Sequence, residues 1–128
     1  MARPMTRKLT AYRILFALAV AIAVIMALLP HPPHLPIDTL GDKFEHSLAF
    51  VVMALLAVSA FPAMPLARLG ERLSFLGALI EVFQSIPALH RDCDVLDWAT
   101  DTIAITVTLL LVAAWRRWGA VRKQRAIG

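Results

Sequence analysis

The feature that most constrains this chain is the alternation of long apolar stretches with short charged ones. A membrane-crossing helix needs about 20 mostly apolar residues, with a range of about 17–25. Four stretches qualify, at about 11–29, 44–61, 69–86 and 95–115. Prolines follow the first three: Pro30, Pro32 and Pro33, then Pro62 and Pro65, then Pro87. A proline cannot continue a helix, so each marks a stop. Of 128 residues, 59% are hydrophobic and 17% charged, whereas a soluble domain is about half apolar and about a quarter charged. The length suits one domain, residues 1–128. The expected fold is all-α, a polytopic membrane bundle of four transmembrane helices. A single cysteine excludes an internal disulfide framework and any multi-cysteine metal site.

A net charge of +4 does not point to nucleic acid, because the charges are sorted by segment. Basic residues gather before the first stretch (Arg3, Arg7, Lys8, with Arg13 just inside), in the second loop (Arg68, Arg72), and after the fourth stretch (Arg116, Arg117, Arg122, Lys123, Arg125). Acids avoid those segments, Glu71 excepted. Lys and Arg stay in cytoplasmic loops. The expectation is therefore a membrane protein with both termini cytoplasmic and the loops near 30–43 and 87–94 outside. The C-terminal basic run reads as a tail on anionic lipid. A secretory signal peptide is the alternative for the first stretch, but the apolar run is long and no small-residue cleavage site precedes the prolines.

Ionisable groups inside a membrane cost about 2.5–3.5 kcal/mol each on insertion scales, and they mark function or pairing. Asp42, Lys43 and His46 open the second stretch, Asp42 and His46 lying at i and i+4 on one face. Asp42 with Glu45 three later also reads as a capping box. Gly77, Glu81 and Gln84 share a face of the third stretch, and no cap explains a glutamate roughly 6–8 Å inside its outer end. Asp94, Asp97 and Asp101 lie within about 60° on one face of the fourth. Asp94 suits an N-cap and Asp97 a first turn; Asp101 fits neither. Trp98 and Trp115 bracket this stretch as interfacial anchors or as ordinary packing residues.

The second and fourth stretches enter from outside and the third exits there. His46, Glu81 and Asp101 thus fall near one level, and with Asp97 they are the candidate catalytic groups. Asp42, Lys43, Gln84, Arg91 and Asp94 are candidate ligand contacts, with Lys43 and Arg91 at the rim of an outward polar pocket. His31 and His34 read as solvated loop residues, and His90 as a further rim group.

In these residues the sequence resembles the VanZ-like family of small bacterial membrane proteins. The resemblance rests on Asp42-Lys43-Phe44-Glu45-His46, on Gly77, Glu81 and Gln84, and on Arg91, Asp94 and Asp97, and spans about 42–111. Asp101 stands where the family usually has Asn, and Ala104 about where it has Gly. The resemblance implies a cell-envelope role, founding members being associated with resistance to the glycopeptide teicoplanin.

Three readings of the pocket follow. It acts as an enzyme on an envelope lipid or lipid-linked glycan, with a divalent cation on the carboxylates, Lys43 and Arg91 on phosphate, and His46 or Glu81 as general acid or base. It binds such a ligand without turnover. Or its polar groups satisfy one another and lock the helices, Glu81 pairing with Arg91 or His46. The signatures of lipid phosphatases and CDP-alcohol transferases are absent, so no reaction class follows from motif.

Overall fold

The computed structural model describes residues 4–30, 34, 36 and 41–128, with the main chain alone for Pro4 and Asp42. It contains four α-helices: α1 Pro4–Leu28, α2 Asp42–Ala60, α3 Leu66–Gln84 and α4 Val95–Ile127, with a short 3-10 turn at Pro87–Leu89. No strand occurs among the described residues.

Local chemistry sets the helix ends. Pro4 opens α1 where its missing N–H is harmless, and neither Gly nor Pro interrupts the chain before Pro30. The helix therefore starts well ahead of residue 11, because Arg7 and Lys8 favour helix even though they do not favour lipid. Asp42, expected to be the N-cap of a box with Glu45, lies inside the helix instead. Gly41 takes the N-cap at φ 94, with no side-chain cap bond, and its carbonyl accepts from the Glu45 N–H at 3.2 Å. That left-handed-side backbone is open to glycine and places Asp42 inside the first turn. At the far end of α2, the Arg13 Nε–H donates to the Ala60 carbonyl at 3.1 Å. The guanidinium lies 5.5 Å from the centre of the Phe61 ring, so α1 caps a carbonyl that α2 leaves open. Asp94 caps α4 as expected, accepting from the Leu96 N–H at 2.9 Å. No proline follows, and the single Gly119 does not break the helix, so α4 runs through the basic segment.

α2 packs on both α1 and α4, and α3 packs chiefly on α4. The core comprises Phe50, Met53, Ala54 and Ala57 of α2, Leu69, Leu73 and Ile80 of α3, and Ile105 and Leu109 of α4. Small residues let these helices approach closely. A Cβ on Gly70 would stand 3.1 Å from Leu109 Cδ1, and one on Gly77 3.3 Å from Phe50 Cζ and 3.4 Å from Trp98 Cδ1.

Three helices are long and apolar enough to cross a membrane: Met5–Leu28, Lys43–Ala60 and Val95–Ile127. The outward faces are apolar too, with Ile14, Leu18, Ile22, Val52, Leu55, Ile103 and Leu110 exposed. Water would not tolerate so much contiguous apolar surface, and lipid does; the chain is a membrane protein. α3 stands apart from the four-span expectation, because Arg68, Glu71, Arg72 and Glu81 fall within its 19 residues.

Candidate functional site

The start of α2, the end of α3 and the start of α4 meet at one end of the bundle. The Lys43 ammonium donates to Asp94 Oδ2 at 2.8 Å and to Asp97 Oδ1. Three-residue spacing puts both carboxylates on one face of α4, so a single cation from α2 bridges them. The ammonium, and after it the Leu96 N–H, hold the Asp94 carboxyl below the usual carboxylate range.

Beneath this bridge lie two buried acids. Glu81, 6% exposed, accepts the main-chain N–H of Asp94 through Oε2 at 3.0 Å. The expected partners were Arg91 or His46; the observed one is a backbone donor freed by the extended conformation at the N-cap of α4. Asp101, 2% exposed, receives one long hydrogen bond among the described residues, from the Ser47 hydroxyl at 3.5 Å. A buried carboxylate so sparsely partnered is costly to hold.

Sequence reasoning missed the hydroxyl layer beside these acids. Ser74 of α3 and Thr102 of α4 share a hydrogen bond at 2.9 Å, and the Trp98 indole N–H donates to the Ser74 carbonyl at 3.0 Å. Trp98 is therefore a half-buried packing residue, as one of its two readings held. Trp115 and Trp118 lie exposed at the opposite end. Ser74 sits seven residues before Glu81, on the same helical face, and that spacing was the available signal.

The remaining candidates are more dispersed. Gln84 is 2% exposed, but its Nε2 donates to the Ala27 carbonyl at 2.9 Å, tying α3 to α1. Its Oε1 has no hydrogen-bond partner among the described residues. His46 is half-buried on α2 and Arg91 half-buried in the α3–α4 connection. The side chain of Asp42 lies outside the described residues, as does His31. His34 and His90 are exposed, His90 in the left-handed region at φ 50. Among the described residues no group of three His, Cys, Asp or Glu side chains is placed to hold a metal ion. Cys93 is an exposed thiol; partial desolvation, then the nearby Glu81 carboxylate, push it above its ordinary range.

The arrangement joins three helices through a lysine–dicarboxylate bridge over two buried acids. Chemically it offers exchangeable ion pairs at the surface and hydrogen-bonding carboxylates below. No protein-family model, curated protein or solved structure matches this chain.

Proposed function

We propose that this protein is a VanZ-like inner-membrane protein of the bacterial cell envelope. Its acidic end faces outward and takes the polar head of an envelope lipid or lipid-linked glycan. In this reading α3 is the fourth transmembrane span and both termini are cytoplasmic. The exposed apolar residues Phe75, Leu79, Val82 and Phe83 along α3 support that placement, as do the basic segments at the opposite end. A phosphate on the ligand would draw Lys43 from Asp94 and Asp97, with Arg91 beside it. Glu81, Asp97 and Asp101 would then face the sugar or amine groups, and His46 would complete the set as a proton carrier.

The observation that carries a ligand at this end is Asp101: a buried carboxylate two turns inside a helix, held among the described residues by one long hydrogen bond. The test is retention of a polyprenyl-diphosphate sugar by the protein in nanodiscs, beside teicoplanin susceptibility of a host expressing it. Wild type retains the lipid and lowers susceptibility, while Asp101→Ala and Lys43→Met each weaken retention by about tenfold, equivalent to about 1.4 kcal/mol. Equal retention by all three proteins overturns the reading.

The structural reading is favoured by a different observation. Glu81 with the Asp94 N–H, and Ser74 with Thr102, are satisfied contacts that join α3 to α4 or its cap. It predicts that Asp101→Ala alters unfolding and leaves lipid retention unchanged.

A further inference from the structure

The other end of the bundle carries a second feature, independent of the acidic site. Helix α4 is 33 residues long, about 50 Å at 1.5 Å per residue. The hydrocarbon core is about 30 Å thick, and the rise from Val95 to Trp115 is about 30 Å. With the Asp94 end at one boundary, Trp115 reaches the other, and three further helical turns project beyond it. Trp115 and Trp118 stack edge-on with centroids 5.7 Å apart, both exposed, at the level where aromatic side chains settle between hydrocarbon and water.

The projecting turns hold Arg116, Arg117, Arg122, Lys123 and Arg125, and no acidic residue occurs from Thr102 to Gly128. At 100° per residue these cations surround the axis, with no gap wider than about 100°. A helix lying flat on a surface gathers its cations on one side, whereas a ring suits a helix standing among charged headgroups. Helical side chains lean toward the N-terminus of their helix, which for α4 means back toward the membrane. Arg122 follows this lean: its guanidinium lies 4.9 Å from the centre of the Trp118 ring, one turn nearer the bilayer. The headgroup layer is about 5–8 Å deep on each side, so cations whose Cα atoms lie beyond it are returned to phosphate level.

We infer that the C-terminal turns of α4 form a cationic collar that binds anionic phospholipid, Trp115 and Trp118 setting its depth and Arg116, Arg117, Arg122, Lys123 and Arg125 meeting the phosphates. Charge complementarity selects the ligand: acid-free turns attract an anionic headgroup over a zwitterionic one, and each Lys or Arg near an anionic surface strengthens association about fivefold.

The test uses the full chain in nanodiscs of phosphatidylcholine containing a fixed fraction of either brominated phosphatidylglycerol or brominated phosphatidylcholine. Bromine quenches tryptophan on contact, and Trp98 at the other end adds the same background to every sample. Wild type is expected to be quenched more by the anionic lipid, with a preference that shrinks in 0.5 M salt as headgroup charge is screened (Debye length about 3 Å at 1 M and about 10 Å at 0.1 M). Replacing all five cations by Gln is expected to reduce the preference at least about fivefold. Replacing the four arginines by Lys keeps it and retains the charge if the Gln protein fails to fold. Equal quenching by the two lipids in wild type overturns the collar, as does a preference that survives the Gln replacements. So does equal quenching accompanied by binding of an oligonucleotide to these turns.

Discussion

The Glu81 carboxylate accepts the main-chain N–H of Asp94 at 3.0 Å, so the residue that caps α4 is itself held by α3. The cap, the lysine bridge and the buried acid thus share one residue. Removing Glu81 leaves the Asp94 N–H without its partner, and losing a partly buried bond to a charged acceptor costs about 1–3 kcal/mol. Glu81→Ala is expected to lower stability by that amount, read by denaturant unfolding in detergent. Glu81→Gln keeps an acceptor oxygen and loses less. Amide exchange should rise across 86–94 in the alanine protein before it rises in the core of α2.

Cys93 reports on the same carboxylate. Desolvation and the Glu81 charge hold its thiol above the ordinary value of 9.0, and only the thiolate reacts. Alkylation of Cys93 is expected to accelerate at higher pH than for a free thiol, and Glu81→Gln should move that rise downward. In intact spheroplasts an impermeant maleimide should reach Cys93, as the proposed outward orientation requires; labelling only after rupture would overturn that proposal.

The Lys43 bridge sets a dependence on acid. Asp94 is held below its ordinary value of 3.8 in the folded protein. A depressed carboxylate contributes stability above its unfolded value and loses it as pH falls through the folded one. The stability that Asp94 contributes should therefore fall away below about pH 4, and Lys43→Met should flatten that acid dependence, with a small loss of stability at neutral pH because Lys43 is exposed.

Two glycines make a matched comparison. Gly77 faces Phe50 and Trp98 at 3.3 and 3.4 Å from where a Cβ would stand, whereas Gly119 has nothing within 4 Å. Gly77→Val is expected to cost about 1–3 kcal/mol through overpacking. Gly119→Ala should stabilise α4 by about 0.5–1 kcal/mol by relieving the helical penalty of glycine. Thermal unfolding by circular dichroism measures both.

Much of the architecture was legible because apolar runs and prolines are local signals. Pro65 and Pro87 bound α3 closely, and Asp94 announced the start of α4. The far ends of α1 and α4 were not legible as span limits, because Arg7, Lys8 and the Arg116–Arg125 segment sustain a helix beyond the lipid that a span requires. The meeting of Glu81 and Asp101 at one end of the bundle followed from topology alone. Their partners did not: Glu81 bonds a main-chain donor, and every residue but proline has one. Ser47, Ser74 and Thr102 carry no charge, so apart from the seven-residue spacing of Ser74 from Glu81 nothing in the sequence sets them apart from Thr100, Thr106 and Thr108, whose hydroxyls bond back into their own helix.

From Val95 to Trp118, α4 contains neither glycine nor proline. It is therefore an unjointed shaft with carboxylates at one end and arginines at the other. A shaft without a hinge transmits rotation: any turn imposed at Trp118 swings Asp97 and Asp101 through the same arc.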